Sequence, residues 1–182
     1  MIRVSATEIE GVRVTETMLT SDSRGTFRKI KPNLDFEDRL DSVATSINPR
    51  AGTIRGLHFQ VAPFAEEKIV ACIQGSVFDV IVDIRTASKT FGKYATLELS
   101  ARNGLQVYLP IGIAHGFQTL QPNTIVQYCL SSSYSPAFAF SINPFECLDI
   151  KWPLKEFLIS EKDANGLSFS SAAEKFSKAL EG

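Results

Sequence analysis

Short apolar runs separated by turn residues set the pattern of the chain from Lys68 onward. KIVACI (68–73) ends at Gln74-Gly75, SVFDVIVDI (76–84) at the polar RTASKTFG, and KYATLELS (93–100) at ARNG. QVYLPIG (106–112), GFQTL (116–120), the turn QPN and TIVQYCL (124–130) continue the series. Val, Ile, Phe and Tyr dominate these runs, and turn signals recur about every 8–12 residues, the pattern of an all-β sandwich or barrel. IRGLHFQ and IAHGFQ alternate as strands as well. Asp79 and Asp83, four apart in SVFDVIVDI, fall on one strand face. An aspartate on an apolar strand is usually a surface or edge residue, and both are expected there. Helix is sparse. LDFEDRL (34–40) allows about two turns, and SSAAEKFSKALEG (170–182) has helical spacing, with Ser170 or Ser171 as N-cap and Gly182 at its end. This last segment is expected to pack on the barrel or a partner, or to fray as a tail. With no internal repeat, low-complexity stretch or linker, residues 1–182 read as a single domain. An antiparallel sheet folded as a jelly roll closes over a cavity able to hold one small ligand.

Composition narrows the ligand. The 182 residues are 44% hydrophobic and 21% charged, ordinary for a globular protein. A net charge of -1 gives no global positive field for nucleic acid or an acidic membrane, so a phosphate-bearing ligand must be met by a few local Arg and Lys side chains. The three cysteines, Cys72, Cys129 and Cys147, have neither CxxC spacing nor disulfide-scaffold density and are expected as reduced, buried thiols. The N-terminus lacks an apolar h-region and no run approaches about 18 apolar residues, which leads to the expectation of a cytoplasmic protein.

Candidate chemistry centres on the chain's two histidines, His58 and His115. A lone histidine in an apolar strand is usually structural, yet both lie in alternating segments that carry a glycine and both can face into one barrel. A neutral imidazole is the commonest general base. A metal site is disfavoured: there is no His-x-His pair and no third histidine, although two His and one carboxylate remain arithmetically possible. Arg24 in DSRGTF, Arg55 in TIRGLH and Lys68 in EEKIV suit phosphates or an oxyanion, or are solvated surface charges. Phe27, Tyr128 and Tyr134 offer stacking surfaces, and the phenols can donate protons, or they are satisfied core aromatics.

As an ordered set the residues say more. GTIRGLHFQ (52–60), EEKIVACIQGSVFDVIVDIR (66–85), TFGKYATLELSARNGLQVYLPIGIAHGFQTL (90–120), QYCLSSSYSP (127–136), LDIKWP (148–153) and LISEKD (158–163) together resemble the dTDP-4-dehydrorhamnose 3,5-epimerase family. The likeness implies an all-β cupin-type jelly roll (double-stranded β-helix) with a few short peripheral helices, one near the C-terminus. It implies a metal-free, cofactor-free isomerase working as a homodimer in the synthesis of activated L-rhamnose. Carried over position by position, His58 matches the catalytic base, Asp163 its hydrogen-bonded carboxylate, Tyr128 the proton donor on the opposite face, and Lys68 the cation beside the sugar ketone. His115 matches a pocket residue near them. Arg24 and Arg55 match basic residues near the phosphates and sugar, and Phe27 and Tyr134 a platform for the thymine ring, part of it lent by the partner subunit. Gln60 falls among the substrate-binding positions. Where members carry Gln-x-Asn-x-Ser this chain reads SVATSINPRAG (42–52), with Ser46 and Asn48 available for those contacts. The Trp and Asp before the final motif are absent, while Pro144 is kept.

The residue types fit such a reaction. Protons on C3 and C5, beside the C4 ketone, become acidic once an enolate forms; a base on one face, an acid on the other and a cation at O4 suffice. A relative inverting only C3 or only C5, an inactive sugar-nucleotide-binding module and a metal-dependent enzyme remain as alternatives.

Overall fold

The computed structural model describes residues 3–6 (backbone), 8–16, 19–30, 36, 39–146 and 148–181. Among the described residues, thirteen strands and two helices follow one another: β1 (Arg3–Ala6), β2 (Arg13–Glu16), β3 (Thr20–Asp22), β4 (Gly25–Phe27), β5 (Ser42–Asn48), β6 (Ile54–Gln60), β7 (Lys68–Gln74), β8 (Ser76–Asp83), β9 (Tyr94–Ser100), β10 (Leu105–Leu109), β11 (Ile113–Thr119), β12 (Thr124–Leu130), β13 (Ala139–Ser141), α1 (Glu161–Ala164) and α2 (Phe169–Glu181). The expected apolar runs became β7 to β12. β10 stops short of the end of the QVYLPIG run, because Pro110 has no N–H for the ladder and Gly112 turns the chain at φ +83°. The helix expected over 34–40 falls largely outside the described residues, as do Cys147 and Gly182.

The strands make two facing antiparallel sheets. One runs β1-β2-β10-β7-β12-β5, the other β13-β6-β11-β8-β9, and β3-β4 stands apart as a hairpin. Sequence neighbours repeatedly land in opposite sheets, the winding of an all-β jelly roll. Between the sheets lies a core of Val70, Cys72, Val77, Ile81, Leu99, Val107, Phe117 and Val126. A second core covers the outer face of the β6-β11-β8 sheet, where Val80, Val82 and Ala114 meet Ala172 and Phe176 of α2. The C-terminal helix therefore packs on the barrel by an apolar stripe. Its N-terminal cap is Ser168, whose Oγ accepts from Ser171 N at 3.2 Å, rather than Ser170 or Ser171, which lie inside the first turn. Cys72 and Cys129 are buried free thiols. Among the described residues no helix is long and apolar enough to cross a membrane.

Asp79 and Asp83 are not at the surface or an edge: both are 0% exposed. β8 is an interior strand, so its inward face meets the barrel and its residues need partners there. Asp83 accepts from Arg85, Ser88 and Thr90, all just beyond its strand. Asp79 finds a histidine.

Candidate active site

Glycine shapes the local backbone of the site. Gly56 has φ +112°, and a Cβ there would lie 2.6 Å from Gly116 Cα; a Cβ on Gly116 would lie 2.6 Å from the Arg55 carbonyl oxygen. Side chains at either position would hold β6 and β11 apart. The close approach accompanies a β-bulge. His115 pairs with His58, but Phe117 pairs with Arg55, so β6 carries one extra residue in this interval. Three residues apart on a regular strand, Arg55 and His58 would face opposite ways. The bulge turns both into the same cavity.

That cavity, of about 310 Å³, opens between the sheets at one end of the barrel. His58, His115, Arg55 and Gln60 reach it from β6 and β11, and Tyr128, Lys68 and Ser46 from β12, β7 and β5. The register explains the second group: Tyr128 lies opposite Val70 and Ala44, Leu130 opposite Lys68, and Val126 opposite Ser46, which puts all of them on the inner face of that sheet. An imidazole and a phenol thus line one space from opposite walls.

His58 Nε2 and Asp163 Oδ1 are 2.7 Å apart. Asp163 lies in the first turn of α1, where the N-cap Ser160 accepts from its backbone N–H, and its second oxygen accepts from Gly56 N at 3.2 Å. Burial pushes this carboxyl up, but the hydrogen bond and charge of His58, with the Gly56 and Ser160 donors, outweigh it and hold it below its ordinary value. An ionised Asp163 accepts from Nε2–H, which leaves the imidazole lone pair on Nδ1.

His115 Nε2 makes the same 2.7 Å contact with Asp79 Oδ1, reaching diagonally from β11 to β8. Here burial dominates and raises the Asp79 carboxyl, against the pull of His115. The His115 and Tyr128 rings meet edge to face, with their centroids 6.3 Å apart. Burial, with Asp79 nearby, raises the Tyr128 phenol above its ordinary value, only partly opposed by Arg55, so the group is protonated at neutral pH. Lys68 Nζ is 2.9 Å from Glu66 Oε1, with both side chains about 10% exposed or less.

Asn48 and Gln60 do something other than present a free amide. Asn48, 1% exposed, donates to Ser46 O and Thr124 O and accepts from Arg55 Nε at 2.8 Å, fixing the guanidinium that faces the cavity. Gln60 donates to Phe64 O and Ser133 O and accepts from Ser135 N, so its amide clasps the loop bearing Tyr134. Tyr134 is exposed at the cavity mouth. Arg24 and Phe27 are not among the lining residues: they sit on the β3–β4 hairpin, where Arg24 pairs with Asp22 and Phe27 is 63% exposed. Glu66, Asp79 and Lys162 are site neighbours that the sequence reading did not assign. Glu66 had a signal, its spacing of two from Lys68; Asp79 needed the β8–β11 register. Among the described residues no three His, Cys, Asp or Glu side chains group as metal ligands.

Comparison with known proteins gives the same direction. Residues 6–171 match the family model described as dTDP-4-dehydrorhamnose 3,5-epimerase. The chain is 36% identical to the dTDP-4-dehydrorhamnose 3,5-epimerase of Shigella flexneri over 94% of its own length and 98% of that protein. It is 33% identical to the dTDP-4-dehydro-6-deoxyglucose 3-epimerase of Streptomyces bikiniensis, over 90% of this chain and 87% of the relative. Among solved structures, the dTDP-6-deoxy-D-glucose-3,5-epimerase of Legionella pneumophila, in complex with dTDP-4-keto-L-rhamnose, superposes with a TM-score of 0.89 at 32% identity, covering 97% of each chain.

Proposed function

The chain belongs to the dTDP-4-dehydrorhamnose 3,5-epimerase family, and from that premise we propose that it inverts C3 and C5 of dTDP-4-dehydro-6-deoxy-D-glucose, giving dTDP-4-dehydro-L-rhamnose, with His58 as base and Tyr128 as acid. The observation that carries this reading is the pairing of His58 and Tyr128 across one cavity. Its volume, about 310 Å³, lies at the small end of ligand pockets and suits the sugar, with the nucleotide at the mouth.

In the mechanism, His58 Nδ1 takes the proton from the carbon beside the ketone, and the electron pair moves onto O4. Asp163 stabilises the imidazolium and holds its ring. Lys68 donates to the developing O4 anion in a pocket that excludes most water, where such an interaction is strongest. Tyr128 returns a proton from the other face, which inverts the centre; the phenolate then recovers a proton from solvent and the imidazolium releases one to it, restoring both groups. Arg55, steadied by Asn48, meets the phosphates or sugar as a planar fork. Tyr134 stacks on the thymine ring. None of these steps calls on a redox cofactor or metal, and activity after exhaustive chelation is the corresponding expectation.

The working unit is a homodimer with shared sites. Every residue of β3 and β4 is exposed, and an isolated two-stranded hairpin is marginal in water, so a second copy would cover it and receive Arg24 and Phe27 at its cavity. Activity restored on mixing Arg24→Ala with His58→Asn chains would support this sharing.

The direct test is incubation with dTDP-4-dehydro-6-deoxy-D-glucose in D₂O. Deuterium at both C3 and C5 is expected. Label at C3 alone would assign the chain the narrower chemistry for which its S. bikiniensis relative is named, and label at neither would leave a binding module.

A further inference from the structure

The cavity contains one carboxylate that the mechanism above leaves idle. Residues 66–68 read Glu-Glu-Lys, with Lys68 opening β7, and the first and third of these side chains line the cavity while the second does not. Glu67 goes outward: its carboxylate accepts from Tyr108 Oη at 2.7 Å and pairs with Arg39 at 3.1 Å, while its backbone N–H donates to Ser131 Oγ. With the middle residue anchored outside, Glu66 and Lys68 project together into the cavity. The Glu66 side chain is only 9% exposed. A carboxylate has about four acceptor positions, and Lys68 is the one side-chain donor within reach of Glu66 among the described residues. The other positions open on the space assigned to the sugar.

We propose that Glu66 is a substrate-binding, specificity-determining residue that accepts a hydrogen bond from the 3-hydroxyl of the sugar. The proposal rests on the reading that Lys68 meets O4. Oxygens on adjacent ring carbons are about one hydrogen-bond length apart, so the carboxylate attached to the ammonium at O4 faces the oxygen at C3. Loss of the C3 proton makes C3 trigonal and brings O3 and O4 into one plane as an enediolate. Lys68 then meets the O4 anion while Glu66 holds the O3 hydroxyl, an interaction better aligned in the enolate than in the starting ketone. The C5 enolate leaves C3 tetrahedral and gains less.

The test is the initial rate of deuterium entry in D₂O, with the wild type and Glu66→Gln, on dTDP-4-dehydro-6-deoxy-D-glucose and on its 3-deoxy analogue. Glu66→Gln should slow exchange at C3 of the parent sugar by about 10- to 100-fold, the range for a hydrogen bond to a charged group, and leave exchange on the analogue unchanged. Equal slowing on both substrates would make Glu66 only a holder of Lys68, and no slowing on either would deny it any role; both overturn the proposal. Wild-type enzyme that exchanges neither carbon would instead remove the functional reading beneath it. Should Glu66→Gln fold poorly, Glu66→Ala must show the same dependence on the 3-hydroxyl.

Discussion

Two histidine–aspartate pairs sit side by side on β6 and β11, each closed by a 2.7 Å contact, and their surroundings drive them apart. His58 is 43% exposed at the cavity, and Asp163 collects donors from the imidazole, a bulge N–H and a helix cap. His115 and Asp79 are 3% and 0% exposed, and Asp79 Oδ2 has no partner among the described residues. A well-supplied carboxylate stays charged and can stabilise an imidazolium that forms and decays during turnover. A starved one is driven toward its neutral form and serves to fix a ring in the core. The same residue types therefore make a charged, solvent-facing pair in one place and a buried pair driven toward neutrality in the other, with donor count and solvent access as the difference.

Four measurements break or sharpen this contrast. His58→Asn should cost about 10²- to 10⁴-fold in rate, the range for a positioned base; a loss under tenfold would take the base away from the exposed pair. Asp163→Asn should cost at least about 10²-fold in kcat, and Asp79→Asn about tenfold or less, since only the former loses support for a transient imidazolium. Equal losses would erase the distinction. Gly116→Ala, which would thrust a Cβ against the Arg55 carbonyl, should cost about 1–3 kcal/mol of stability by forcing β6 and β11 apart, read as a lower urea midpoint. Smallest is the effect of pH on melting. Asp163 is held below its unfolded pKa, so its contribution is present above about pH 4 and fades as pH falls. Asp79 is raised, so its contribution is present at low pH and fades as pH rises through its folded pKa. Relative to the wild type, Asp163→Asn should lose ground in melting temperature as pH rises from about 3 to 7, and Asp79→Asn should gain it. Parallel trends would contradict the assignment.

Much of this was legible in the chain. The strands from Lys68 to Leu130 followed from apolar runs and their turn residues, because antiparallel strands with short connections carry their signals locally. Both histidines, Lys68 and Tyr128 were picked out by residue type and by an ordered resemblance, and they share one cavity. What escaped was set by register. A period of two separates Arg55 from His58, and only the bulge at Gly56 brings them to one face. Asp79 looked like an edge residue because nothing local reveals that β8 is flanked by β9 and β11. The bonds of the Asn48 and Gln60 amides to Arg55 and to the Tyr134 loop also lay beyond the sequence, because they join residues at separations no local pattern encodes.

The most direct test of two-faced proton transfer compares proton exchange with inversion in D₂O for the wild type, His58→Asn and Tyr128→Phe. The wild type should gain deuterium with inversion, His58→Asn should gain almost none, and Tyr128→Phe should still gain label at the first carbon while inverting it far more slowly. Exchange persisting in His58→Asn, or exchange and inversion falling equally in Tyr128→Phe, would contradict an imidazole base and a phenol acid on opposite walls of one cavity.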